Sequence, residues 1–243
     1  MRARLSSLCF GIVLGAICCT PVPRPDAGAR PAAVAVIKPL PDSARFAAEL
    51  NAFMRADSAS PPPPAPVLFV GSSSIRMWES LATDFPGLPV LNRGFGGSRM
   101  DDVLRYADRV VFRYKPRAIV LYEGDNDLQE GVTPARIAGE VAEFLSRVRT
   151  ALPQARVVCL AVKPSPSRWN LADKVRQTNA LLQAVIAQDT LATYVDVYTP
   201  MLGADGRPRA ELFRADSLHM TPAGYAVWRD AVAPALRGER DKR

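Results

Sequence analysis

Residues 67–78 read VLFVGSSSIRMW: four apolar residues, a glycine, three serines, then Ile75 and Trp78 at a spacing that suits a helix. A short apolar run closed by glycine and followed by a helical pattern reads as a buried strand feeding a helix. The unit recurs. PVLN (89–92), AIVLYE (118–123), RVVCLAV (156–162) and TYVDVY (193–198) are further apolar runs, and the segments around 75–82, 99–113, 134–151, 168–188 and 222–236 carry helical patterns. Strands separated by helices long enough to cross over pair in parallel, through right-handed connections that cover both faces of the sheet. The expected fold is an α/β domain on a five-stranded parallel sheet.

In such a sheet, ligands collect outside the carboxyl ends of the strands, near the point where strand order reverses. The polar segments of this chain fall there: GSSS (71–74) after the first strand, NRGFGGS (92–98) at the end of the second and EGDND (123–127) at the end of the third. A serine triplet at a strand tip either caps the next helix or carries chemistry. Acyl transfer by serine needs a base at its hydroxyl, a group that orients the base, and donors aimed at the developing oxyanion. The chain has one histidine, His219, three residues after Asp216 and just ahead of a helix with Thr221 and Pro222 at its start. That spacing can place a carboxylate and an imidazole on one short loop, where the acid fixes the tautomer. Taken singly, each segment reads equally well as a turn or a surface residue.

Taken together, Gly71 and Ser73, then Asn92, Gly94 and Gly97, then Gly124, Asn126 and Asp127, and finally Asp216 and His219 resemble the four motif blocks of the SGNH hydrolases, also called the GDSL esterase and lipase family. The resemblance spans about Val67 to Leu236. It implies a flavodoxin-like three-layer α/β/α sandwich and a serine esterase working through an acyl-enzyme without cofactor or metal. Ser73 would be the nucleophile, His219 the general base and then acid, and Asp216 its orienter. The backbone N–H groups of Ser73 and Gly97 and the Asn126 amide would hold the oxyanion. Ser72 departs from the pattern, standing where the family usually has Asp, and either Ser72 or Ser74 could cap the following helix. Ser72, Arg76, Trp78, Arg168 and Trp169, with Arg93 and Arg99 nearby in the loops, could line the pocket and meet anionic or polyhydroxylated substrates; the alternative is surface arginines and tryptophan packed on the sheet. An acyltransferase or O-acetylesterase acting on a sugar or wall polymer, and a non-catalytic extracytoplasmic binding module, are the competing expectations. An esterase of this kind loses activity as His219 takes up a proton.

Other classes fit less well. The chain carries 31 Lys and Arg against 24 Asp and Glu, a net charge of +7, yet the basic residues are scattered and not interleaved with aromatics, so no nucleic-acid partner is expected. GFGGS (94–98) lacks both the Walker lysine and the G-x-G-x-x-G spacing of a phosphate loop. One histidine and no clustered cysteines give no metal site.

The first 20 residues, MRAR followed by the uncharged LSSLCFGIVLGAICC and Thr20, have the layout of an export leader. Cys18 and Cys19 resemble a bacterial lipoprotein lipidation site, although Ile17 is bulkier than the residue such sites usually carry. A periplasmic, membrane-anchored or secreted protein is expected. With the leader removed, Cys159 would be the remaining cysteine and no intrachain disulfide could form. Residues 21–65 read as a Pro- and Ala-rich tether containing one helix (Phe46, Leu50, Phe53 and Met54 at helical spacing), residues 66–237 as the hydrolase domain, and 238–243 as a charged tail. Natural substrate, acyl length and oligomeric state are not encoded in these motifs.

Overall fold

A computed structural model describes residues 44–237. The expected leader, the Pro/Ala-rich part of the tether and the charged tail lie outside the described residues. Five strands, β1 (Val67–Gly71), β2 (Val90–Gly94), β3 (Ala118–Tyr122), β4 (Arg156–Leu160) and β5 (Ala192–Val195), form one sheet in the order β2-β1-β3-β4-β5, every pair parallel. β1 and β3 are buried at every position, which is why VLFV and AIVLY show no polar alternation. Cys159 sits buried in β4 with its thiol pushed up to about 12 by burial, a packing residue.

The helices are α1 (Ala47–Ala59), α2 (Ser73–Arg76), α3 (Leu81–Asp84), α4 (Met100–Val110), α5 (Asp125–Gln129), α6 (Pro134–Ala151), α7 (Ala172–Ile186) and α8 (Pro222–Arg237). α6 packs along α4 and α7 on one face, and α8 lies against β4 and β5 on the other. Right-handed crossovers put α4, α6 and α7 on one face, because from β2 onward the chain moves across the sheet in one direction.

Two expected helices are interrupted. The stretch around 75–82 splits into α2 and α3, because Trp78 turns inward and its Nε1–H donates to Asp84 Oδ2 at 2.6 Å. The helix expected from 168 begins as a 3-10 stretch (Pro166–Leu171) in which Arg168 has non-helical φ −118° and ψ 22°, and α7 proper starts at Ala172.

The helix of the expected tether docks on the sheet domain. Phe46 and Leu50 are buried in the common core, and Phe46 meets Phe95 edge-on at 5.0 Å. Burying one such side chain contributes about 1.5–3 kcal/mol. Arg93 of β2 is buried too, ion-paired with Asp57 of α1 and lying over the rings of Phe53 and Tyr114 at 5.0 and 4.6 Å. The expectation that Arg93 faces the substrate pocket is therefore corrected: its charge is neutralised beneath α1.

Candidate active site

Register places the site. Gly71 pairs with Gly94 on one side and with Tyr122 on the other, so Ser72, Phe95 and Glu123 leave the sheet at one level. β1 lies between β2 and β3, where strand order reverses, and the three polar loops converge around its tip.

At that tip Gly71 has φ +144°, and a Cβ there would lie 2.0 Å from the Tyr122 carbonyl oxygen, so only glycine permits the turn from strand into α2. The turn makes Ser73 the first residue of α2, partly exposed. Asn92 fixes α2 from the side, its Nδ2 donating to the Ile75 carbonyl at 2.7 Å and its Oδ1 accepting from Gly94 N–H at 2.9 Å. Tyr225 of α8 donates to the Ser74 carbonyl at 3.0 Å.

His219 reaches this helix from the far end of the chain. Its Nε2 lies 3.0 Å from Ser73 Oγ, and its Nδ1 lies 2.6 Å from Asp216 Oδ2. The loop holding the pair is closed by the Phe213–Met220 bridge and by Arg214 N–H donating to the His219 carbonyl at 2.7 Å. Asp216 Oδ1 accepts from the N–H groups of Leu218 and His219, both at 2.9 Å. The bond to the His219 ring, with those two N–H donors, holds the Asp216 carboxyl well below the usual carboxylate range. A carboxylate on Nδ1 leaves Nε2 as the lone-pair nitrogen that faces the serine.

At the same end of the sheet, the Phe95–Ser98 turn after β2 and the start of α5 after β3 supply further donors. Among the described residues, the N–H groups of Ser73 and Gly97 make no hydrogen bond. Asn126 Nδ2 donates one hydrogen to the Ser98 carbonyl at 2.9 Å, and its Oδ1 accepts from Arg168 Nη2 at 3.1 Å. Among the described residues, the N–H groups of Ser73 and Gly97 and the second Nδ2 hydrogen of Asn126 are thus left without partners.

The acids of EGDND separate into three environments. Glu123 accepts from Ser98 Oγ at 2.6 Å, and burial, with Asp127 nearby, pushes its carboxyl well above the usual range. Asp125 is also driven up by burial, but Lys163 and Arg168, both ion-paired with it, outweigh this and leave it below its ordinary value. Asp127 accepts from Met100 N–H at 3.0 Å and Gly124 N–H at 3.1 Å, tying α4 to α5. None of these contacts was legible as a pairing in the sequence; Lys163, at the end of the β4 run, was the unclaimed charge that could have pointed to Asp125.

The pocket expectation needs correction at Trp78, and the capping expectation at Ser72. Trp78 is fully buried, stacked on Tyr225 at 5.3 Å and edge-on to Trp228, so it belongs to the core under the site. Arg76 is exposed and reaches Glu49 of α1 at 3.1 Å. Arg99 stands at the N-cap position of α4, its N–H donating to Asp102 Oδ2 at 3.1 Å, and its side chain pairs with Glu130 and Asp101. Arg168 holds Asn126, and Trp169 is partly exposed with the Arg207 guanidinium 5.5 Å above its ring. Ser72 is buried at the N-cap position of α2, yet its hydroxyl makes no capping bond, and the carbonyl of the same residue accepts from Ile75 and Arg76 N–H, both at 3.0 Å.

Comparison with known proteins gives the family and the fold. The sequence model of the GDSL-like Lipase/Acylhydrolase family matches residues 65–227. The chain is 30% identical over 168 residues to the platelet-activating factor acetylhydrolase IB subunit alpha1 of Homo sapiens, an alignment covering 65% of this chain and 70% of that one. In fold it is similar to a GDSL-like lipase from Bacteroides thetaiotaomicron (TM-score 0.66, 19% identity, 79% of this chain and 99% of that one). It is also similar to a catalytic mutant of Axe2, an acetylxylan esterase from Geobacillus stearothermophilus (TM-score 0.57, 14% identity, 72% and 95%). The sheet and its flanking helices have the SGNH hydrolase architecture.

Proposed function

We propose that this chain, which belongs to the GDSL-like lipase/acylhydrolase family and is a carboxylic ester hydrolase, cleaves short acyl esters through a Ser73–His219–Asp216 triad. The observation that carries the assignment is the continuous run from Ser73 Oγ to His219 Nε2 (3.0 Å) and from His219 Nδ1 to Asp216 Oδ2 (2.6 Å).

Ser73 Oγ attacks the ester carbonyl as His219 Nε2 takes its proton, and Asp216 stabilises the imidazolium. The carbonyl electrons move onto oxygen, which the N–H groups of Ser73 and Gly97 and Asn126 Nδ2 receive. Collapse expels the alcohol, protonated by His219, and leaves the acyl group on Ser73. Water, deprotonated by His219, attacks this ester in the same frame; collapse breaks the acyl–Oγ bond, His219 returns the proton to Ser73 Oγ, and the acid is released. Each donor of this kind is worth about 100- to 1,000-fold in turnover.

Acetyl esters are the favoured substrates in this proposal, since the names of the human relative and the Geobacillus enzyme both specify acetyl groups. A carbohydrate acetyl ester is the second reading, supported by partly exposed Trp169 beside Ser167, whose N–H donates to the Ser217 carbonyl of the His219 loop at 3.1 Å. Export and anchoring through residues 1–20 complete the proposal, on the strength of their composition alone.

The test is hydrolysis of p-nitrophenyl acetate, butyrate and octanoate, and of acetylated xylo-oligosaccharides, by wild type, Ser73→Ala, Ser72→Ala and His219→Ala, with folding checked by circular dichroism. Ser73→Ala and His219→Ala are expected to lose at least about 1,000-fold in kcat while Ser72→Ala keeps most of it. Retained turnover in Ser73→Ala would refute the assignment.

A further inference from the structure

α1 precedes the region matched by the family, residues 65–227, yet it touches the loop that carries Gly97. Glu49 Oε1 accepts from Gly96 N–H at 2.9 Å and from Arg76 at 3.1 Å. Arg45, just ahead of α1, donates from Nη2 to the Gly97 carbonyl at 2.7 Å. On the reading in which Gly97 N–H receives the oxyanion, we infer that the α1 segment is a positioning element for that donor, with Arg45 and Glu49 as its positioning residues.

The physical need for a clamp lies in the loop itself. Phe95 to Ser98 form a tight turn, closed by Ser98 N–H donating to the Phe95 carbonyl at 3.3 Å, with Gly97 at φ +75°. A positive φ at the third residue selects the turn in which the central peptide, the one bearing Gly97 N–H, is flipped relative to the commoner type. Gly96 and Gly97 are adjacent, so nothing in the side chains resists displacement of that peptide. Glu49 holds the peptide unit before it and Arg45 the unit after it. From beneath, Phe95 N–H donates to the Gly71 carbonyl at 2.9 Å and Ser98 Oγ to Glu123 at 2.6 Å. The turn is thus gripped on its sheet side by the domain core and on its outer side by α1. α1 is a firm support, anchored at its near end by buried Phe46 and Leu50 and at its far end by the buried Asp57–Arg93 pair. Arg76 closes the set, since its guanidinium lies against Gly96 and is held there by Glu49.

A donor displaced by about 1 Å loses much of its value to a transition state. The experiment measures kcat and KM separately for p-nitrophenyl acetate in the full chain and in Glu49→Ala, Glu49→Gln, Arg45→Ala and the Arg45→Ala/Glu49→Ala double variant, beside Ser73→Ala. The double variant should lose about 10- to 100-fold in kcat, with KM changed by less than about 2-fold. Its affinity for a trifluoromethyl ketone, whose adduct with the serine bears an oxyanion, should fall in proportion to kcat/KM. Glu49→Gln retains an acceptor oxygen for Gly96 N–H and should recover most of the activity lost in Glu49→Ala. A folded double variant whose kcat stays within about 2-fold of wild type, or whose loss lies in KM alone, overturns the inference. If the double variant does not fold, equal kcat in Glu49→Ala and Glu49→Gln overturns it equally. An active Ser73→Ala would instead remove the underlying triad assignment, whereas an inactive Ser73→Ala with fully active α1 variants removes only the clamp.

Discussion

Arg168 Nη2 donates to Asn126 Oδ1 at 3.1 Å, and this contact decides which end of the Asn126 amide faces Ser98. A guanidinium has donors only, so the amide atom touching it must be the oxygen, and the nitrogen is left to donate to the Ser98 carbonyl at 2.9 Å with a second hydrogen to spare. Arg168 is in turn held by Asp125, which Lys163 also neutralises. A buried ionic cluster therefore orients a side-chain donor of the proposed oxyanion site.

Arg168→Met should release the amide, and we expect kcat to fall about 10- to 100-fold with KM little changed, Arg168→Lys being intermediate. Steady-state kinetics on a neutral ester check this. A loss confined to KM for anionic or sugar esters would return Arg168 to the role of a substrate contact.

Glu123 and Asp127 make stability depend on pH. Burial raises Asp127 from its ordinary 3.8 to about 7 and raises Glu123 well above its ordinary 4.5. Because both folded-state values lie above the unfolded ones, their stabilising contribution is complete below the unfolded values and is lost as pH rises through the folded ones. Glu123→Gln resembles the protonated acid, so its Tm should match that of wild type near about pH 4 and exceed it increasingly toward about pH 8. A Tm difference that stays constant over this range would show that Glu123 is ionised in the fold.

Removing Asp57 strands the buried Arg93 guanidinium, whose side chain is 7% exposed. Asp57→Ala should cost about 3–5 kcal/mol in urea unfolding, because an uncompensated buried charge remains. Substituting both residues by apolar ones of similar size should restore much of that loss, and an equal loss in the single and double variants would contradict the charge argument.

Gly71→Ala places a methyl group 2.0 Å from the Tyr122 carbonyl at a backbone conformation that disfavours side chains. Soluble yield should collapse, or activity and Tm should fall together, since the strand tip that aims Ser73 must move. Wild-type activity in a stable Gly71→Ala would mean that the tip adapts freely.

The parallel sheet was readable from the sequence because its strands are buried on both faces, and a run such as VLFV or AIVLY leaves few other solutions. Ser73, Gly97 and Asn126 could be named as candidates for a related reason: their loops follow strand ends, where short polar strings stand out, whereas Asp216 and His219 were named by their D-x-x-H spacing ahead of α8. The broken helix at 77–80 was not readable, because the break comes from Trp78 entering an aromatic cluster with Tyr225 and Trp228, distant in sequence. Trp78 was also a mistaken pocket candidate, since its place beside the serines gave no sign of its burial.

By itself the sequence determined the fold class and the types of residue around the serine, through local patterns of apolar spacing, glycine and polar strand ends. Only tertiary structure decided the pairings: Asp125 with Lys163 and Arg168, Glu123 with Ser98, Arg93 with Asp57, and Glu49 and Arg45 with the Gly96–Gly97 turn. These contacts join residues far apart in the chain. Their partners are chosen by packing and by the cost of leaving a buried charge or N–H unpaired, and no local stretch of sequence records that choice.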